Sequence, residues 1–227
     1  MNDQHQFKFT PLVLAIPLYF VLLLWIVYWF EIKFHINLNE YGILPRKAVG
    51  FRGIFFGPFI HSEVAHLYHN SIPLFLLMLS LWYFYRKIAL KIFITGTLLL
   101  GLLTWLIGRS SYHIGASGII YMLFSFIFFS GIFRRYYRLI AVSLVVIFLY
   151  GSMVWYILPI EEHVSWEGHL SGFLTGILLA YVFKDSGPQR LQYEWEEEGY
   201  DDTEEAQPLK DISEFNPDPE ENDRVQL

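Results

Sequence analysis

The chain has 227 residues, is 54% hydrophobic and 19% aromatic, and carries a formal net charge of −6 with no cysteine. This composition excludes a disulfide framework, thiolate catalysis and cysteine metal ligation. The basic residues form no nucleic-acid patch, and no glycine-rich phosphate loop is present.

Apolar runs of about 18 residues or more are long enough to cross roughly 30 Å of hydrocarbon. The first is "PLVLAIPLYFVLLLWIVYWF", residues 11–30. It is too long, and lacks the small-residue site, for a cleaved signal peptide. Further apolar runs cover about Leu67–Tyr85, Ile88–Ile107, Ala116–Phe133, Leu139–Pro159 and His169–Phe183. The pattern predicts an all-α membrane protein with six spans. A long first loop, about residues 31–63, holds "FFGPF" and several other aromatics, as a segment lying partly in the membrane interface does.

The charges divide the chain into two parts. Residues 1–184 form the expected six-span core. From Asp185 to residue 227 the chain holds 15 of the 22 acidic residues and 3 of the 16 basic ones, a charge of −12. Such a stretch has too few apolar groups to offset ordering entropy and is expected to be disordered. Short loops rich in lysine and arginine stay in the cytoplasm. Arg86, Lys87 and Lys91 follow the second span; Arg134, Arg135 and Arg138 follow the fourth; Lys184 follows the sixth. The loop between spans five and six carries Glu161, Glu162 and Glu167 and no basic residue. Both termini are therefore expected in the cytoplasm. With no organelle-targeting segment, the expected membrane is a bacterial plasma membrane.

Polar groups inside membrane segments are costly, so each calls for a partner. Three segments carry them. "HSEVAHLYHN" holds His61, His66 and Asn70 at the start of span two. "GASG" places Ser117 between Gly115 and Gly118 at the start of span four. "GHLSGFLTG" places His169 at the start of span six, followed by Gly172 and Gly176. All three spans enter from the same side, so these groups share one depth. Alone, Ser117 reads as a packing residue in a small-residue string. The glycine pair at four-residue spacing lets span six approach span four closely. That would bring the Ser117 hydroxyl within the 2.6–3.2 Å reach a general base needs.

A hydroxyl is a poor nucleophile until a base takes its proton. A buried neutral imidazole suits that task. Tyr121, one turn beyond Ser117, shares its face and is placed to support the His169 ring. No carboxylate stands in an orienting position, since Glu167 is two residues away on a helix. The reading is a two-member dyad. Attack on an amide carbonyl builds negative charge on oxygen. Asn70, His66 and the Ser117 backbone N–H offer donors for it.

These residues resemble the rhomboid family of intramembrane serine proteases. The matching motifs are His61-x4-His66-x3-Asn70, Gly115-Ala-Ser117-Gly118 with Tyr121, and His169-x2-Gly172-x3-Gly176. The resemblance covers about residues 10–184 and implies a six-transmembrane-helix rhomboid-like bundle. It implies Ser117 as nucleophile, His169 as base, and His66, Asn70 and Ser117 as the oxyanion hole. His61 would support the site and the first loop. The family uses neither cofactor nor metal. Its partners are single-span transmembrane substrates, taken from the lipid bilayer and cut near the outer face. Many members carry a Trp-Arg pair in the first loop; the counterpart here is Phe51-Arg52.

Two other readings use the same residues. A rhomboid-like scaffold that binds membrane proteins without cutting them would share the fold. A metal-dependent membrane oxidoreductase would use histidine boxes, for which His61, His66, His69, His163 and His169 suffice in number. Its sites usually need several dense boxes with carboxylates, and Asn70 is a poor ligand.

Overall fold

The computed structural model describes residues 7–159 and 165–189. The expected acidic tail beyond residue 189, and His163 with the rest of loop 160–164, lie outside the described residues. The helices are α1 (Pro11–Phe34), a short α2 (Gly53–Phe56), α3 (Val64–Phe84), α4 (Ala89–Ile107), α5 (Ser117–Arg134), α6 (Tyr137–Tyr150) and α7 (Trp166–Val182). Among the described residues the one extended pairing outside these helices is a bridge between Ile43 and His113. The protein is an all-α, multi-pass integral membrane protein.

Among the described residues five segments are long and apolar enough to cross a membrane, counting α6 together with the 3-10 turns that follow it. α7 has 17 residues, about 26 Å at 1.5 Å per residue. It is shorter than the other five and covers most of a hydrocarbon layer of roughly 30 Å. The fifth apolar run, expected to extend unbroken to Pro159, instead leaves α-helical geometry at Gly151 and continues as 3-10 turns to Ile157. Gly151 and Ser152 are weak helix formers at that point. The winding there is by i→i+3 bonds of poorer geometry, and the last carbonyls of the segment have no partner further along it.

α5 is the central helix. Its membrane window is 67% buried inside the protein, against 17% for α1 and 11% for the α6 segment. Phe124, Phe126, Leu123 and Ile127 of α5 are fully enclosed, and Tyr85 and Tyr136 close the end away from Ser117. Lipid tails are as apolar as leucine, so burial alone does not pull these helices together. Close packing and interhelical hydrogen bonds do. The Ser125 hydroxyl donates to the Phe173 carbonyl of α7 at 2.9 Å. The Ser143 hydroxyl of α6 donates to the Ile127 carbonyl of α5 at 3.1 Å. At the far end of α5, Arg134 donates to the carbonyls of Phe183 and Pro188, at 2.5 and 2.8 Å, holding the chain that leaves α7.

The α5–α7 seam is lined by glycine. A Cβ on Gly172 would fall on the Gly118 carbonyl oxygen, and one on Gly176 would fall on Ser125 Oγ and the Met122 carbonyl. Any side chain at either position forces the two backbones apart. Gly172→Val is expected to destabilise the folded protein by about 1–3 kcal/mol. Its thermal unfolding midpoint in detergent should fall, while Leu174→Val on the lipid-facing side of α7 should leave it nearly unchanged. An unaltered midpoint for Gly172→Val would contradict this contact.

Candidate active site

Ser117 is the first residue of α5, and His169 lies in the first turn of α7. Asn70 lies in the second turn of α3. The three helices therefore bring their N-terminal ends to one level. Ser117 and His169 meet across the glycine seam, with His169 Nε2 and Ser117 Oγ 2.9 Å apart. The Tyr121 ring stacks on the imidazole, with centroids 4.2 Å apart and planes 15° from parallel. The Tyr121 hydroxyl donates to the Met153 carbonyl at 2.7 Å.

The other imidazole nitrogen decides the tautomer. His169 Nδ1 is 2.9 Å from the Tyr156 carbonyl oxygen. A carbonyl only accepts, so Nδ1 carries the hydrogen. Nε2 then presents its lone pair and accepts from the Ser117 hydroxyl. That is the protonation state a general base requires. Among the described residues no carboxylate orients the ring. The partner is a backbone carbonyl in the last turn of the 3-10 segment that follows α6.

His66 and Asn70 lie next to Gly115, two residues before Ser117. A Cβ on Gly115 would sit 2.8 Å from His66 Cε1 and 3.7 Å from Asn70 Nδ2, and Gly115 has φ +97°. Both the space and the backbone favour glycine there. Asn70 Nδ2–H donates to His61 Nε2 at 3.2 Å. His61 Nε2 also faces the Ala116 N–H at 3.5 Å. The amide NH₂ has a second hydrogen beyond the one His61 takes. The His61 and His66 rings meet edge to face at 5.1 Å. Ser117 at the helix start has one of the backbone N–H groups left without an intrahelical acceptor.

The first loop braces the segment ahead of Ser117. Ile43 and His113 exchange both backbone hydrogen bonds, at 2.9 and 2.8 Å. The Gly115 N–H donates to the Gly57 carbonyl at 2.9 Å. Phe51 stacks on Trp105, with centroids 4.3 Å apart. Arg52 lies over the Tyr41 ring and donates to the Glu40 carbonyl. The Phe51-Arg52 pair thus anchors the loop to α4 and to itself.

Two residues that the sequence did not assign to the site are buried here. His113 is 5% exposed and Glu167 2%. Arg109 meets Glu167: its backbone N–H donates to Oε1 at 3.1 Å, with Nε 3.7 Å from the same oxygen. The sequence did contain a hint. Ser165 and Glu167 stand four and two residues before His169, and His113 stands four before Ser117. Among the described residues no three of His, Asp and Glu gather as a metal site.

A polytopic helical membrane protein with a serine hydroxyl hydrogen-bonded to an oriented, buried imidazole is the class this geometry defines. The model of the rhomboid domain matches residues 50–186, and the chain belongs to the rhomboid family. It is 36% identical over 184 residues to uncharacterized proteins of Mycobacterium tuberculosis and Mycobacterium bovis, covering 75% of this chain and 74% of each relative. An uncharacterized protein of Mycobacterium leprae is 34% identical over 179 residues, covering 73% of this chain and 68% of the relative.

His61 lies in the loop ahead of α3, and burial with the neighbouring His66 lowers its pKa to about 4. An unfolded chain takes up a proton there near 6.5, the folded chain only near 4. Stability from this group is therefore full above about pH 6.5 and falls as pH drops toward 4. Unfolding midpoints in detergent between about pH 7 and 4 should decline, and His61→Asn should flatten the decline. The slope should be reduced rather than abolished, because burial lowers the pKa of His113 as well. A slope unchanged by His61→Asn would contradict the assignment.

Proposed function

We propose that the protein is an intramembrane serine endopeptidase that cleaves single-span membrane proteins near the outer face of the membrane. The observation that carries this reading is the 2.9 Å contact between Ser117 Oγ and the lone-pair nitrogen of His169. Ser117 Oγ attacks the carbonyl carbon of the scissile amide as His169 Nε2 takes its proton. The carbonyl oxygen becomes an oxyanion. The free hydrogen of Asn70 Nδ2, the His66 imidazole and the Ser117 backbone N–H donate to it. Such donors contribute about 2.7–4 kcal/mol each. On collapse the C–N bond breaks, and the imidazolium gives its proton to the leaving nitrogen. Water then attacks the acyl-serine carbon as Nε2 takes its proton; the C–Oγ bond breaks, the imidazolium returns that proton to Ser117 Oγ, and the carboxylic acid product leaves.

His61 and Tyr121 support this cycle. His61 turns the Asn70 amide so that its second hydrogen is available. Tyr121 holds the imidazole plane. A stable substrate helix hides its amides, so the substrate must be unwound locally where it meets Ser117. The activity resides in residues 1–184, with both termini in the cytoplasm of a bacterium and the site near the outer face. The lysine and arginine bias of the loops supports that orientation.

Ser117→Ala and His169→Ala should each abolish cleavage of a single-span substrate by the purified protein, with the variants still folded. A serine-directed fluorophosphonate should label the wild type and not Ser117→Ala. Wild-type cleavage by either variant would refute the dyad. Absence of both labelling and cleavage in folded wild-type protein would favour a binding scaffold. Asn70→Ala should lower kcat by about 10²–10³-fold, the loss seen for one oxyanion donor. An unchanged kcat would remove Asn70 from that role.

A further inference from the structure

His113, Ser165 and Glu167 surround the dyad, yet no side-chain hydrogen bond from any of them reaches Ser117 Oγ or the His169 ring. They join the two segments that carry those groups. The loop 108–116 leads into Ser117. The first turn of α7 carries His169. His113 Nε2 is 3.1 Å from the Arg109 carbonyl, so that nitrogen bears the hydrogen. Nδ1 is left to accept from the Ser165 hydroxyl at 2.5 Å. Ser165 is the N-cap residue of α7, but its side chain makes no cap bond to the helix. Its hydroxyl is committed to His113 across the seam. Its carbonyl accepts the His169 N–H at 3.2 Å. One short path therefore runs from His113 through Ser165 to the backbone of His169.

Glu167 makes a second path. Its carboxylate, buried and in the first turn of α7, accepts the Arg109 backbone N–H at 3.1 Å. A carboxylate at a helix N-terminus is favoured by the dipole, and its bond to an amide is charge-assisted. The Arg109 side chain is 39% exposed, so solvent weakens the charge–charge part of the pair. The fixed element is the bond to the backbone N–H.

The seam itself does not supply this constraint. Glycine lets α5 and α7 approach, and the Ser125–Phe173 bond ties them one to two turns beyond the dyad, but neither reaches loop 108–116, which leads into Ser117. A displacement of about 1 Å between reacting groups costs on the order of 10²-fold in rate. We propose that Glu167 and His113 are positioning residues for the Ser117–His169 pair. They are two clasps that lock the first turn of α7 onto loop 108–116; the proposal rests on the protease reading above. His113 has a further connection, since its backbone pairs with Ile43 of the first loop. The clasps thus tie three segments, the first loop, the Ser117 loop and the start of α7, into one frame.

The test measures two quantities on full-length purified protein. One is the second-order rate of Ser117 labelling by a small fluorophosphonate, which needs an activated serine but no substrate docking. The other is kcat and KM for a single-span substrate. Glu167→Ala should lower labelling and kcat together by about 10–100-fold, with KM within about twofold. Glu167→Gln keeps an acceptor for the Arg109 N–H and should return both to within about threefold of wild type. His113→Leu should lower both by about tenfold. Wild-type labelling of Glu167→Ala, or a loss carried by KM alone, would overturn the proposal. So would Glu167→Gln as impaired as Glu167→Ala, since that makes charge rather than position the cause. Where Glu167→Ala does not fold, His113→Leu and Glu167→Gln decide. Full labelling of His113→Leu then overturns the proposal, and a loss in His113→Leu with recovery in Glu167→Gln upholds it. Folded wild-type protein that neither labels nor cleaves removes the protease reading and this one with it. A labelled wild type with an equally labelled Glu167→Ala removes only the clasps.

Discussion

Everything at the candidate site depends on how closely the backbones of α5 and α7 approach. In a bilayer, helices gain little by hiding apolar surface from lipid, so contact must come from fit. Gly118 on one helix, with Gly172 and Gly176 on the other, removes the side chains that would hold the axes apart. The Ser125 hydroxyl crosses the resulting gap to the Phe173 carbonyl. Such a bond adds about 0.6 kcal/mol on average in membrane proteins. The approach sets the separation of Ser117 and His169 at hydrogen-bond length. With bulkier residues on this seam the same serine and histidine would stand too far apart to share a proton.

The second dependence is on irregular backbone. A regular helix uses its carbonyls internally and has none to spare in its middle. α6 gives up α-helical winding at Gly151, and the following turns direct two carbonyls at the site: Met153 to the Tyr121 hydroxyl, and Tyr156 to His169 Nδ1. Non-helical backbone at membrane depth is tolerated where it is buried in protein or lines a cavity. Here the freed carbonyls find donors on side chains of α5 and α7. The break in α6 and the orientation of the imidazole are thus one structural solution: each satisfies what the other leaves open.

Much of this was legible in the sequence, for physical reasons. Hydropathy marks spans because the bilayer imposes a length, and the runs from Pro11 and Ala116 agree with α1 and α5 to within a few residues. Glycine spacing marks the α5–α7 seam because close approach has few other solutions. The His66–Asn70 spacing marks one helix face, and α3 starts early enough to include both. The 3-10 turns after α6 were not legible, since "GSMVWYI" carries no charge and continues the apolar run. A backbone carbonyl leaves no trace in residue identity, so the partner of His169 Nδ1 was invisible. His113 and Glu167 were missed for a different reason. Their partners are 52 and 58 residues away, and only the fold makes them neighbours.

The choice of a carbonyl over a carboxylate beside His169 follows from the medium. An isolated ion in a low-dielectric interior costs several kcal/mol unless paired. A carboxylate against the imidazole would be such an ion for as long as the imidazole stayed neutral. A carbonyl fixes the same tautomer without bringing a charge. The nearest carboxylate in sequence, Glu167, is instead turned to Arg109, whose guanidinium reaches partly into solvent. The Glu167 charge is buried, but beside a guanidinium and a backbone N–H that balance it, while a dipole alone orients the imidazole. The imidazole is thus held by the Ser117 hydroxyl, the Tyr121 ring and the Tyr156 carbonyl, with no ionised side chain hydrogen-bonded to it among the described residues.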